Sequence, residues 1–241
     1  MKATFDASGE VVVITGGAQG IGAALAKAVN AAGGTAVVLD VAVPPEGVAH
    51  VEVDVADRAA VTEAVAQVLS QYGRIDGLVA GAAVQPRSLV LELDAAEWTR
   101  TLQVNLDGVV WACQAVVPHM VERRSGSVVV FTSGMASTGY PGAAAYAASK
   151  AALVAFAKTL AAEVAADRVR VNVVAPGVID TEQFRGANAG ADREHWQDTI
   201  GIGDPDDVVG PLLFLLSDAA AMTGSVLTRE RAFAKLTDFV E

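Results

Sequence analysis

The chain has 241 residues, 52% hydrophobic and 19% charged, enough apolar sequence for one sizeable core and too apolar to stay disordered. Seventeen Lys and Arg against 28 Asp and Glu give a net charge of −11, and an acidic chain without a basic run is a poor partner for nucleic acid. A lone cysteine, Cys113, excludes an internal disulfide framework, and three histidines far apart in the sequence suggest no metal site.

The opening Met1-Lys2-Ala3-Thr4-Phe5-Asp6 lacks the apolar core of a signal peptide, and no apolar run approaches the roughly 20 residues of a membrane helix. A soluble cytoplasmic protein with no membrane partner is expected. Residues 11–14 read as a buried strand, 21–32 as a helix, 35–40 as the next strand and 48–53 as the third. Residues 57–72 carry helical spacing, with Val61, Val65, Val68 and Leu69 on one face. Residues 75–80 form a fourth strand, 95–123 a helix pair or a bent helix, and 127–132 a fifth strand. A long helix over 145–166, a sixth strand over 169–175 and a helix over 206–217 follow. This alternation predicts an α/β fold, a Rossmann-type doubly wound parallel sheet with helices on both faces, as one domain over residues 1–241. Residues 182–204, rich in Gly, Asp and Asn, read as an irregular loop at the carboxyl edge of the sheet, where ligands bind.

The first strand runs into Thr15-Gly16-Gly17-Ala18-Gln19-Gly20-Ile21-Gly22, which opens the first helix. Glycines there permit a tight turn and let backbone N–H groups approach a pyrophosphate, with the helix N-terminus adding partial positive charge. Asp40 ends the second strand, where a carboxylate binds both ribose hydroxyls of NAD and repels the 2′-phosphate of NADP. No cation at Ala18, Gln19 or Val41 compensates, so NAD is the expected cofactor. Asp54, ahead of Val55, is placed either to accept from the adenine amino group or to cap the helix starting near Asp57.

Tyr146-Ala147-Ala148-Ser149-Lys150 sets a tyrosine and a lysine at i and i+4, on one helical face about 6 Å apart along the axis. With the glycine loop, this spacing resembles the short-chain dehydrogenase/reductase family over about residues 8–228. The resemblance implies a catalytic serine at Ser133, a helix asparagine at Asn105, and a loop over the nicotinamide at Pro176-Gly177-Val178-Ile179-Asp180-Thr181. It places Gly16, Gln19, Gly20, Ile21, Gly22, Asp40, Asp54, Val55, Ala82, Tyr146, Lys150, Pro176, Gly177, Val178 and Thr181 at the cofactor. It implies Ala83, Gln85, Ser133, Met135, Tyr140, Gly177, Phe184 and Trp196 around the substrate.

Oxidising a secondary alcohol requires a base for the hydroxyl proton as hydride leaves the carbon. Bringing a tyrosine from near 10 to near 7 takes roughly 4 kcal/mol, about what a cation some 4 Å away supplies at an effective dielectric of 20. Lys150, with the positive nicotinamide, is the expected source. Ser133 is expected to hold the substrate oxygen, and Asn105 a water linking Lys150 to solvent.

Two stretches depart from the family pattern. Ala80-Gly81-Ala82-Ala83 replaces the usual pair of asparagines, which predicts a looser sheet centre or a substitute hydrogen bond. After Thr223-Gly224 the chain continues as a tail over 229–241, in which Phe233, Leu236 and Val240 recur at helical spacing. That tail is expected either to cover the protein's own sheet edge or to pack on a neighbouring subunit. The resemblance implies a homodimer or homotetramer. The expected function is an NAD-dependent oxidoreductase interconverting a secondary alcohol and a ketone, acting on a small and, from the apolar pocket, neutral substrate. Arg87 and Arg185 are the residues able to overturn that neutrality. A sensor or scaffold that binds NAD without turnover, and a nucleotide-sugar epimerase, are the rivals.

Overall fold

A computed structural model describes residues 4–188 and 191–230, with the side chains of residues 191 and 192 set aside. Seven parallel strands build one sheet: β1 (Val11–Thr15), β2 (Thr35–Asp40), β3 (Ala49–Glu52), β4 (Gly77–Ala80), β5 (Gly126–Phe131), β6 (Val169–Ala175) and β7 (Val226–Thr228), in the order β3-β2-β1-β4-β5-β6-β7. The helices are α1 (Gly20–Ala31), α2 (Arg58–Tyr72), α3 (Ala95–Leu102), α4 (Gly108–Arg123), α5 (Met135–Thr138), α6 (Ala144–Val164), α7 (Glu182–Ala187), α8 (Ala191–Thr199) and α9 (Asp206–Leu216).

Alternation along β1 explains the two-sided packing. Val11 and Val13 join a core with buried residues of α2, α4 and α6, while Val12 and Ile14 join a second core with α1 and α9. A strand covered on both faces is predominantly apolar; β1 and β5 are buried at every position, and their polar members, Thr15 and Ser127, have hydrogen-bonded hydroxyls. The doubly wound sheet expected from the sequence is therefore present. Its order reverses between β1 and β4, so their carboxyl ends open the crevice where such folds bind ligands.

Two segments differ from the sequence reading. The 95–123 helix is one path interrupted by a π-helical turn at Gln103–Asp107, with α-helical backbone angles at both joints. Residues 182–204 are not an irregular loop, because α7 and α8 occupy most of them. Cap and charge chemistry starts α7 where apolar periodicity is missing. Thr181 Oγ1 accepts from Phe184 N–H at 3.1 Å, and Glu182 pairs with Arg185 at i,i+3. The expected tail helix falls on residues 231–241, outside the described residues.

The departure at 80–83 is met by substitute hydrogen bonds. Thr15 Oγ1 accepts from Gly81 N–H and Ala82 N–H at 3.2 and 3.3 Å, tying β1 to the end of β4. Asn105 holds the next residue: its Oδ1 accepts from Val84 N–H at 2.8 Å and its Nδ2 donates to Val84 O at 2.9 Å.

Candidate functional site

The crevice at the ends of β1 and β4 is a cavity of about 390 Å³, and it gathers all but two of the residues assigned to the site from the sequence. The glycine loop forms its floor. Gly16 has φ +71°, and a Cβ there would meet Ala82 N at 2.5 Å; one at Gly22 would meet Gly16 O at 2.4 Å. These two glycines are therefore demanded by the packing of the loop on itself and on the 81–82 segment. Gln19, at the N-cap of α1, makes no side-chain capping bond, and the first turn of α1 holds no acidic residue. Unpaired N–H groups at a helix N-terminus on a cavity floor, among Gln19, Gly20, Ile21 and Gly22, fit a phosphate group. Gly16→Val should leave cofactor binding undetectable by fluorescence titration, because its side chain has no space against Ala82.

Asp40 closes one end of the cavity. Its Oδ2 accepts from Ala18 N–H and its Oδ1 from Ala42 N–H, both at 3.0 Å, so the carboxylate is held in register with the glycine loop. Asp54 and Val55 line the same end. Asp57, rather than Asp54, caps α2 by accepting from Ala59 N–H and Ala60 N–H. Asp54 instead accepts from Ala56 N–H and pairs with Arg100 of α3 at 2.9 Å, an interaction that holds its carboxyl below the usual range against the effect of burial. Arg100 lines the cavity and was missed in the sequence, since nothing near it in the chain marks it.

Ser133, Tyr146 and Lys150 meet at the other end. β5 delivers Ser133 just past its carboxyl end, and α6 presents Tyr146 and Lys150 one turn apart. Ser133 Oγ accepts from Met135 N–H at 3.3 Å and stands close enough to the Tyr146 hydroxyl to favour its ionised form. Lys150 is buried, donates from Nζ to Phe131 O at 3.1 Å, and lies 5.8 Å from the Tyr146 ring centroid. Burial dominates both groups. It raises the Tyr146 phenol above its ordinary value, opposed by the Ser133 hydroxyl and the charge of Arg87, and it brings Lys150 down to about 8. In the protein without cofactor, desolvation favours the neutral form of each group, so the positive nicotinamide that the sequence reading pairs with Lys150 has that burial to overcome.

Lys150 consequently leaves a signature in stability. Its proton is bound less tightly in the folded state than in the unfolded chain, so the protein gains stability as pH rises from about 8. The upward-shifted Tyr146 opposes this only above pH 10. The unfolding free energy should rise by about 2 kcal/mol between pH 8 and 10 in urea titrations, and Lys150→Met should remove that rise.

Asn105 and Tyr140 are the two expected site residues outside the cavity wall. Asn105 sits fully buried in the π-helical turn, and its Nδ2 protons go to Val84 O and Ser149 Oγ. A water relay at Asn105 would therefore meet its acceptor oxygens alone. Asn105→Ala should cost about 2–4 kcal/mol in chemical unfolding, because the Val84 N–H and C=O lose their partner. Tyr140 packs behind the wall, its ring 5.2 Å from that of Trp196.

Ala82 and Ala83 line the cavity from the end of β4, and Pro176, Gly177, Val178 and Thr181 from the segment after β6. Gln85, Met135, Phe184 and Trp196 line a further part of the wall, where Gln85 Nε2 lies 3.8 Å from Met135 Sδ. Asn188, 2% exposed, completes that wall and went unmarked in the sequence because it lies beyond α7, in a stretch without periodicity. Among the described residues no cluster of His, Cys, Asp or Glu could hold a metal ion, and no helix is long and apolar enough to cross a membrane.

A doubly wound sheet with a glycine-rich turn at its switch point and a Ser, Tyr and Lys group beside it defines a Rossmann-like protein with the apparatus of an oxidoreductase. The family model described as short chain dehydrogenase matches residues 10–192, and the chain belongs to that family. Members bind a nicotinamide dinucleotide, and the relatives act on CH–OH or keto groups of small molecules. The chain is 36% identical over 235 residues to the 3-oxoacyl-(acyl-carrier-protein) reductase FabG of Thermotoga maritima, covering 91% of this chain and 95% of the relative. It is 36% identical over 233 residues to D-threitol dehydrogenase of Mycolicibacterium smegmatis, covering 90% of each. Among solved structures, the Thermoplasma acidophilum aldohexose dehydrogenase matches with a TM-score of 0.84 at 30% identity, over 93% of this chain and 92% of that one.

Proposed function

We propose that this chain is a single-domain NAD-dependent oxidoreductase that interconverts a secondary alcohol and a ketone, with Tyr146 as acid and base. The observation that carries the reading is the convergence of Ser133, Tyr146 and Lys150 on one wall of the cavity whose opposite end holds the glycine loop and Asp40. Asp40 supports NAD over NADP. Its carboxylate is anchored by two backbone N–H groups, and it faces the cavity beside Val41, with no cation among its hydrogen-bond partners.

When bound, a nicotinamide supplies the hydride donor or acceptor and, oxidised, a positive charge beside the phenol. The chain's own residues handle the proton. In oxidation, Tyr146 Oη takes the proton of the substrate hydroxyl while Ser133 Oγ–H stabilises the negative charge developing on the same oxygen. In reduction, Tyr146 returns the proton to that oxygen. Lys150, brought to about 8 by burial, exchanges its proton near neutral pH and is poised to bind the nicotinamide ribose or pass a proton to the phenol. Asn105 keeps Val84, and with it the 81–84 edge of the cavity, in place.

Gln85, Met135, Phe184 and Trp196 make a wall of mixed aromatic and amide character that suits a small carbonyl or alcohol. Relatives named for acyl-carrier, polyol and sugar substrates leave the substrate class to experiment. The net charge of −11 opposes docking of an acidic carrier protein. Assembly as a cytoplasmic homodimer or homotetramer belongs to the same proposal, and light scattering with and without residues 229–241 tests it. The enzyme reading is tested by NADH formation from NAD across secondary alcohols, polyols, sugars and hydroxysteroids. Turnover should appear with at least one class. Silence across the panel, with NADH still bound, would support a sensor instead.

A further inference from the structure

Arg87 follows β4 in the segment leading to α3, outside the family's catalytic group, and its side chain stands behind the cavity wall, against the lining residue Asn188. Its Nη2 donates to Asn188 Oδ1 at 2.7 Å and its Nε to Ala187 O at 3.4 Å. The guanidinium lies over the Tyr140 ring at 4.7 Å, and that ring packs on Trp196. Trp196 Nε1 in turn donates to the same Asn188 Oδ1 at 3.3 Å, while Asn188 Nδ2 donates to Phe184 O. One amide thus joins Arg87, α7 and α8. Both acceptors of Arg87 are neutral, and its buried Nη1 makes no hydrogen bond among the described residues.

We propose that Arg87 is a positioning residue of the active site, clamping Asn188 and Trp196 into the substrate-side wall and holding a positive charge beside the start of α6, the helix that carries Tyr146. The proposal rests on the reading of Tyr146 as the acid and base. The groups acting on that phenol come from three directions. Lys150 stands one turn on along α6, Ser133 past the end of β5, and Arg87 on the segment after β4. Ser88 N–H, next to Arg87 in the chain, donates to Gly142 O at 2.9 Å and bridges to Ala143, which holds the Arg87 segment against the start of α6, where Tyr146 stands; among the described residues no carboxylate enters the balance, so Arg87 is a cation that favours the phenolate against burial. A guanidinium that holds the end of α7 by its fork and acts on α6 by its charge is divisible by substitution. Lysine keeps the charge and loses the fork, and glutamine loses the charge.

The test follows Tyr146 by NMR with tyrosine labelled at Cζ, its resonance assigned by its loss in Tyr146→Phe. Amide exchange at residues 184–188 reads the clamp in parallel. Arg87→Gln should move the Tyr146 ionisation to higher pH and speed exchange over 184–188. On whichever alcohol of the panel is turned over, it should raise KM about tenfold with a smaller change in kcat. Arg87→Lys should restore the titration and leave the exchange fast. An unmoved Tyr146 titration in Arg87→Gln, or one displaced equally in Arg87→Lys, overturns the proposal. Both NMR readouts need no substrate. A chain silent in every turnover assay that shows the shifted titration would refute the oxidoreductase reading and keep the role of Arg87.

Discussion

Tyr146→Phe should lower kcat by at least about 10³-fold while leaving NADH affinity within about twofold of wild type. The substitution removes one oxygen and keeps the ring that packs beside Lys150, so the cavity keeps its shape. The lost oxygen faces Ser133 across the cavity wall, and it is the phenol on which the proposed proton transfer depends. Lys150 still exchanges a proton, but the phenol through which it is proposed to act on the substrate is gone, and its Nζ donates to Phe131 O. Stopped-flow measurement of bound-cofactor turnover, with fluorescence titration of NADH, separates chemistry from binding. Residual activity above about a hundredth of wild type would remove Tyr146 from the role of acid and base. Because burial favours the neutral phenol and the amine near 8, the oxidation rate should still be climbing with pH above 8 in the wild type. The same rise should be missing from the residual activity of the phenylalanine variant.

Asp40→Ala should lower kcat/KM with NAD by roughly 10- to 100-fold, the cost of losing charged hydrogen bonds to the ribose hydroxyls. Activity with NADP should rise relative to NAD by at least about tenfold, since a carboxylate against a 2′-phosphate costs several kcal/mol. The carboxylate also accepts from Ala18 N–H and Ala42 N–H, so part of any loss comes from a looser glycine loop. Asp40→Asn separates the two effects. It retains an acceptor for the loop and removes the charge, so it should recover most of the cofactor affinity lost on loosening while still admitting NADP. A wild type that binds NADP as tightly as NAD would reverse the cofactor assignment.

Much of the fold and half of the site could be read from the chain because local spacing carries them. β1 and β5 carry the runs Val11–Ile14 and Val128–Phe131 because both faces are covered, and that pattern needs no partner to be recognised. Tyr146 and Lys150 share a helical face through the helix period alone, and the glycine loop announces itself between a strand and a helix. The 182–204 segment was misread because α7 and α8 rest on a threonine cap and on ion pairs such as Asp180 with Arg193 and Arg185, features that hydrophobic periodicity does not register.

Along the chain, then, spacing and residue type were sufficient for the doubly wound sheet, the glycine turn, Asp40 and the Tyr146 and Lys150 pair, and the family resemblance added Ser133. Contacts between distant segments decided the rest. Arg87 reaches Asn188 across 101 positions, Asn105 turns its amide onto Val84 and Ser149 inside a π-helical turn, and Arg100 crosses to Asp54. The direction in which Tyr146 and Lys150 titrate was likewise settled only by folding. Charge spacing predicts mutual attraction, but desolvation depends on how much of the surrounding protein closes over both groups, and here that closure outweighs the pairing.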